Sequence, residues 1–218
     1  MSRAGWALRH GTVGAPIRLS PEQEQSLLEA HRGGDPTAIS TLLRGFQHRI
    51  YSVCYRMMRD PDLAADLTQD SMLKVIQGLP GYDGRASLST WIVRVTMNTC
   101  LSELRKRKVR RHASLDDHDA GSVPIRSRLS NPQELAGGDR VERAEVHRSL
   151  TDALASLEPE PRAILVLRDL QGLDYEQISA VLDIPLGTVK SRLFRARAAL
   201  RRLLEERIGA VEPTDESA

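Results

Sequence analysis

Tyr175 to Arg202 reads Y-E-Q-I-S-A-V-L-D-I-P-L-G-T-V-K-S-R-L-F-R-A-R-A-A-L-R-R. Its periodicity predicts two helices around a tight turn. Ile178, Val181 and Leu182 share one face of the first helix, which Asp183-Ile184-Pro185-Leu186-Gly187 then interrupts. Pro185 disfavours a helical conformation at Ile184, and its fixed φ suits the first turn of the next helix. Val189, Leu193, Ala196, Leu200 and Leu203 recur at spacings of four, three, four and three, so they line one face of the second helix. The opposite face carries Lys190, Ser191, Phe194, Arg195, Ala198, Arg201 and Arg202, with no acid before Glu205. A solvated amphipathic hairpin would account for the arginines. It would leave Phe194 in water among cations and the absence of acids unexplained. A helix lying in the DNA major groove, where Arg and Lys meet guanine and phosphate, accounts for all three.

The chain has 218 residues, enough for one or two domains, and its 40% hydrophobic but only 4% aromatic content points to an aliphatic, helical core rather than a β-sandwich. The net charge of +2 says little, but its distribution is segregated. Leu101 to Arg111 holds six basic residues against Glu103, and Asp62 to Asp70 holds three aspartates and no base. Two different charged partners are implied. Cys54 and Cys100 are the only cysteines; without a C-x-x-C or a histidine pattern they argue against a zinc site, and Cys54 falls on an apolar stripe that makes it core. Arg3, Arg9 and His10 precede no apolar segment, so no signal peptide is read. The longest apolar run, Ala163 to Leu167, is far too short to cross a bilayer. A cytoplasmic location without membrane insertion is expected, with no cofactor.

Along the chain, residues 1–19 lack periodicity and are expected to be a disordered extension. Ser20-Pro21-Glu22-Gln23 announces a helix with a capping box, ended by Gly33-Gly34. Asp35-Pro36 starts the next, with Ile39, Leu42, Leu43, Phe46, Ile50, Val53, Cys54 and Met57 as a core stripe. Asp60-Pro61 starts a third, reaching about Gln77, with Leu67, Met72, Val75, Ile76 and Leu79 inside. Its Asp62, Asp66, Gln69, Asp70, Leu73 and Gln77 form a second stripe, which periodicity alone reads as a solvated face. A glycine-rich loop, Gly78 to Arg85, lacks a phosphate-cradle pattern. A long helix from Leu88 to Lys108 follows, with Leu88, Ile92, Val95 and Leu104 inside and a basic end suited to a phosphate backbone. Residues 113–141 have linker composition. Helices resume with Val146, Leu150, Ala153, Leu154 and Leu157, and Pro161 marks a further helix start. Residues 210–218 form a polar tail. The expected fold is all-α: two helical domains, 20–112 and 142–209, joined by a flexible linker, the second containing a helix-turn-helix.

The stretch from Tyr175, above all G-T-V-K-S-R-L-F-R-A-R, closely resembles the C-terminal promoter-reading domain of bacterial extracytoplasmic-function sigma factors, in the sigma-70 family. The resemblance implies that this helix reads the −35 element. Lys190, Ser191, Phe194 and Arg195 would then touch bases, Thr188 and Arg197 would lie near phosphates, and Arg201 would add to the basic face. It extends upstream: D-L-T-Q-D, S-L-S-T-W-I-V-R-V-T-M-N-T and the basic run are similar to sigma region 2. By that resemblance Asp66, Gln69, Asp70 and Leu73 would dock on the basic clamp helices of the largest catalytic subunit of RNA polymerase. Tyr82, Arg85 and the loop through Ser87, with Asn98, would capture a flipped base of the −10 element, and Arg105, Lys106, Arg107 and Lys108 would hold its backbone. Tyr82 can stack on an unpaired base and Asn98 can pair with its edge. Trp91 fits either a core position or a base contact. Leu88 stands where the family usually has phenylalanine, and Asp83 where it is often basic, so the −10 preference stays open. Further partners implied are the flap of the second polymerase subunit and an anti-sigma factor.

The reading is therefore a promoter-specificity subunit of RNA polymerase with no catalysis of its own. A conventional helix-turn-helix repressor would explain the C-terminal half but leave the acidic helix, loop and basic helix without a role. The histidines form no H-E-x-x-H and no G-x-S-x-G is present, which argues against an enzyme.

Overall fold

Three helices that each begin on proline open the computed structural model, which describes residues 19–115 and 149–209. Helix α1 spans Pro21–Arg32, and Ser20 closes both halves of a capping box with Gln23. Helix α2 spans Pro36–Met58, with the Asp35 carboxylate accepting from the Thr37 N–H. Helix α3 spans Pro61–Gly78, with Asp60 accepting from Asp62 and Leu63. Each start pairs a side-chain acceptor for the orphan N–H groups with a proline where no donor is missed, which is why all three were readable. A 3₁₀ turn, Leu79–Gly81, leads through the glycine-rich loop to α4, Leu88–Leu115. Helix α4 thus runs past Lys108 and takes residues 113–115 from the expected linker.

The N-terminal core forms where α2 meets α3 and α4. Leu42, Phe46, Ile50, Val53, Cys54 and Met57 of α2 are buried against Leu67 and Val75 of α3 and Ile92, Val93, Met97 and Cys100 of α4. The stripe on α2 is as expected, save that Ile39 is only half-buried. On α3 and α4 the pattern misleads. Ile76, expected inside, is 41% exposed, and Val95 and Leu104 are half-buried. Thr68, Thr96 and Thr99 take core positions instead, because each hydroxyl donates to the carbonyl one turn back in its own helix, at 2.6, 2.9 and 2.9 Å. Leu19 also departs from expectation. It packs on α2 at Gly45, where an added Cβ would stand 2.5 Å from Leu19 Cδ1.

The C-terminal unit has a helix α5 over 149–156, then α6, Pro159–Leu165, which continues as a π turn, Val166–Leu170. Helix α6 starts at Pro159 rather than Pro161. Leu150 is 37% exposed and not core as expected, whereas Ala153, Leu154 and Leu157 are buried. Helices α7, Tyr175–Leu182, and α8, Leu186–Gly209, follow. No strand occurs among the described residues, and none of their helices is long and apolar enough to cross a membrane. The expected extension before residue 19, the linker from 116 with Val146, and the tail 210–218 lie outside the described residues.

The two units pack on one another through α6 against α2 and α4, and α7 against α4. Arg162, 9% exposed, donates to the Met57 carbonyl of α2 and to the Ala155 and Leu157 carbonyls of its own unit. Arg59 pairs with Asp152, and Arg49 Nε donates to Gln171 Oε1 at 2.8 Å.

Candidate nucleic-acid interface and docking face

The turn before α8 is held by Ser179. Asp183 caps α7 in the left-handed region, φ 55 and ψ 50, with its N–H on the Ser179 carbonyl. The Ile184 N–H reaches the same carbonyl at 3.2 Å, and Ser179 Oγ donates back to the Ile184 carbonyl at 2.6 Å. Pro185 lies immediately before α8, and its carbonyl accepts from Thr188 at 2.8 Å and Val189 at 3.0 Å. It therefore occupies the cap rather than the first turn. At the other end of α7, Asp174 and Gln177 close a capping box. Asp174 also stands three residues before Gln177 in the sequence, the spacing that marks such a box.

Helix α8 separates its faces as its periodicity predicts. Val189, Leu193 and Ala196 are buried, and Leu200 and Leu203 half-buried. Lys190, Ser191, Phe194, Arg195, Ala198, Arg201 and Arg202 are exposed, Phe194 at 77%. Thr188 is half-buried, and its carbonyl accepts from Ser191 Oγ at 3.1 Å. Arg197 is engaged within the protein: its Nη2 lies 2.5 Å from Asp169 Oδ1, and that hydrogen bond raises the guanidinium pKa above its ordinary value. Arg192, half-buried, pairs with Glu160 at 2.9 Å. The outer face of α8 can thus offer an aromatic edge and several cations to a groove, while Arg197 reaches a phosphate only by leaving Asp169.

The loop and α4 bring Tyr82 and Trp91 together, with ring centroids 5.4 Å apart and tilted by 48°. Both are half-buried. Trp91 covers Gly78, where a Cβ would stand 3.1 Å from the indole, so part of the tryptophan is packing. Tyr82 Oη donates to the Ala86 carbonyl at 2.6 Å, and burial pushes its phenol pKa up. Ser87 caps α4: its Oγ accepts from the Thr90 N–H at 3.1 Å and lies 2.8 Å from Thr90 Oγ1. Arg85 is exposed and paired with Asp83 at 3.1 Å. Asn98 is exposed two turns beyond Trp91 on the same face, about 10 Å along the helix. Tyr82 thus packs at the start of α4, and Asn98 lies two turns further along that helix. On the basic end, Arg105, Lys106 and Lys108 are exposed, while Arg107 and Arg110 both bond Glu103 at 3.1 Å. Helix α7 approaches the start of α4, with Gln177 Nε2 donating to Thr90 Oγ1 at 3.3 Å.

On α3, Asp62, Asp66, Gln69, Asp70, Leu73 and Gln77 are all exposed on one face. Leu73 is 56% exposed and Ile76 41%, so two large apolar side chains border the carboxylates. Ile76 was expected inside because its spacing of four from Met72 mimics a buried stripe. Among the described residues no group of His, Cys, Asp or Glu is placed to hold a metal ion.

Two family descriptions match the chain: Sigma-70 region 2 over residues 42–110, and Sigma-70, region 4, over residues 147–200. The RNA polymerase sigma-H factor of Pseudomonas aeruginosa is 32% identical over 192 residues, covering 86% of this chain and 96% of that protein. The ECF RNA polymerase sigma-E factor of Escherichia coli K12 is 30% identical over 181 residues, covering 81% and 92%. Among solved structures, the sigma factor RpoE of Bartonella quintana, solved with the anti-sigma factor NepR, aligns with a TM-score of 0.56 at 25% identity, covering 77% of this chain and 93% of that one. CnrH, solved with the cytosolic domain of CnrY, has the same fold, with a TM-score of 0.55 at 19% identity over 84% of this chain and 98% of that one.

Proposed function

The chain belongs to the sigma-70 family, in its extracytoplasmic-function class, and on that premise we propose which of its surfaces carry each step of promoter-specific transcription initiation. The protein directs RNA polymerase to promoters. Helix α8 reads the −35 element with Lys190, Ser191, Phe194 and Arg195, supported at phosphates by Thr188, Arg197 and Arg201. Tyr82, Arg85, Ser87 and Asn98 take the −10 strand once it is unpaired, with Arg105, Lys106, Arg107 and Lys108 along its backbone. Asp66, Gln69, Asp70 and Leu73 dock on the clamp helices of core polymerase, with Ile76 beside them, and the C-terminal unit meets the flap. The protein acts in the cytoplasm and performs no catalysis. By likeness to the RpoE solved with NepR, an anti-sigma protein holds it inactive.

The observation that carries this reading is the acid-free outer face of α8, where Phe194 stands 77% exposed among cations. An aromatic side chain in that setting is stabilised by a nucleic-acid surface and not by water. A first unit of 20–115, with α4 carried to Leu115, and a second of 142–209 suit the same division of labour. Reading two promoter elements requires the units to part, which places the Arg162–Met57 and Gln177–Thr90 contacts in the free chain only. Adding the purified chain to core polymerase and sequencing transcript 5′ ends tests the assignment. New start sites sharing two upstream elements are expected; a repressor would create none.

A further inference from the structure

Beneath the proposed docking helix lies a group of polar side chains that no step of initiation uses. Cys54 of α2 and Cys100 of α4 are both fully buried and unbridged, with Cys100 Sγ 3.8 Å from Cys54 Sγ although the residues are 46 positions apart. The sulfurs sit against the inner face of α3. Ser71 Oγ is buried there with no hydrogen-bond partner among the described residues. The Lys74 ammonium is held nearby, donating to Thr99 Oγ1 at 3.1 Å. We propose that Cys54 and Cys100 form an oxidisable dithiol that closes to a disulfide on exposure to hydrogen peroxide, cross-linking α2 to α4 under the docking face of α3.

The chemistry follows from the two environments. The hydrogen bond from Cys100 holds the Cys54 thiol below its ordinary pKa against burial. Cys100, the donor to Cys54, is pushed well above. Cys54 is therefore the thiolate that attacks. Its sulfur takes the terminal peroxide oxygen, the O–O bond breaks, and the departing oxygen leaves as water with the thiol proton, giving a sulfenic acid. Cys100 Sγ then attacks that sulfur, the S–O bond breaks, and hydroxide departs with the Cys100 proton as a second water. Two thiols and one hydrogen peroxide give one disulfide and two waters. The sulfurs must approach from 3.8 Å to about 2.05 Å, which then fixes α2 to α4 at this point. Because both thiols are buried, the peroxide enters only on local opening. The partner thiol, already in contact, then outruns a second oxidant. In a reducing cytoplasm such a bond is transient and reports oxidation.

The effect on α3 rests on the proposal that this helix docks on polymerase, and two readouts separate the claims. The full-length chain is treated with hydrogen peroxide, quenched, unfolded and alkylated, then weighed intact and after proteolysis. The expected result is a loss of two hydrogen masses, no alkylation at either cysteine, one peptide pair joined through Cys54 and Cys100, and reversal by dithiothreitol. Cys54→Ala and Cys100→Ala chains, checked for native helicity by circular dichroism, should give no such product. Two alkylatable thiols, or a sulfinic acid without the joined peptide, would overturn the proposal. The oxidised chain should compete for core polymerase roughly five- to tenfold more weakly, at the low end of ordinary coupling between sites. A disulfide with undiminished competition would establish the redox pair and overturn its coupling to α3. If the reduced chain fails to bind core polymerase, the docking assignment fails while the disulfide result stands.

Discussion

The guanidinium of Arg162 donates to the backbone carbonyl of Met57, in the last turn of α2, and so ties the C-terminal unit to the N-terminal one. Its other acceptors, the Ala155 and Leu157 carbonyls, also lie at or just past a helix end. Such carbonyls lack intrahelical partners and carry the negative end of the helix dipole, so one planar cation satisfies three orphans. The arginine itself is desolvated, which lowers its pKa, and its Nε has no partner among the described residues. Arg162→Met should destabilise the chain by about 3 kcal/mol, because it leaves acceptors buried without donors. Urea unfolding would show this as an earlier midpoint, and solution scattering as a larger radius as the units part. An unchanged midpoint and radius would mean that apolar packing alone holds the junction.

Asp169 holds the guanidinium of Arg197 that is proposed to meet a DNA phosphate. The pair is half-exposed, so its own contribution to stability is small. Asp169→Asn should leave unfolding nearly unchanged and free the guanidinium for a phosphate. Binding of −35 duplex should tighten, with the salt dependence steepened by about one phosphate contact. An unaltered salt slope would place Arg197 away from the DNA backbone.

On the outer face of α8 the cations should divide by role. Arg195→Ala should lose about 1–3 kcal/mol of −35 binding and relax preference at one base position. Arg201→Ala should weaken binding evenly across sequences. Competition with single-base variants of the duplex separates the two patterns, and equal behaviour of both variants would undo the distinction.

The fold was legible wherever one signal repeated at several levels. Ser20, Asp35 and Asp60 precede prolines, and each caps a helix. The outer face of α8 was legible because acids are absent from it and its apolar spacing is strict. What escaped was hidden by side chains that satisfy themselves. Thr68, Thr96 and Thr99 stand outside the apolar positions read as core but bond their own helix carbonyls and are buried. Ile76 reads as core but faces solvent beside Leu73. The Arg197–Asp169 and Arg162–Met57 links join residues 28 and 105 positions apart. No local pattern encodes such separations.

Tyr82 should act through its ring and its hydroxyl separately. Tyr82→Phe loses the bond to Ala86, about 1 kcal/mol of loop order, but keeps the face against Trp91. Tyr82→Ala with Asn98→Ala removes both groups proposed to take the unpaired base. The first variant should open promoters nearly normally. The second should spare duplex binding yet show fewer permanganate-reactive thymines, with only partial rescue by premelted −10 DNA. Normal opening by the double variant would move the base site elsewhere on α4.

The carboxylates of Asp66 and Asp70 lie one helical turn apart and are exposed, with Gln69, Leu73 and Ile76 alongside. Solvated aspartates at such spacing contribute almost nothing to folding. Pressed against basic clamp helices they would be desolvated pairs, and truncating such a charge costs roughly 2–5 kcal/mol of binding. The two readings therefore diverge sharply for Asp66→Ala combined with Asp70→Ala. The helix should persist, since alanine is the stronger helix former and the cap at Asp60 is untouched. Circular dichroism should match the parent, as should binding of −35 duplex by α8. Competition for core polymerase should be lost at concentrations where the parent saturates. Ile76→Ala should weaken it further by about 1 kcal/mol, as expected for an apolar side chain half-exposed in the free chain and covered on docking. If the folded double variant binds core polymerase as tightly as the parent, the acidic stripe is solvated surface and the docking face lies on another helix.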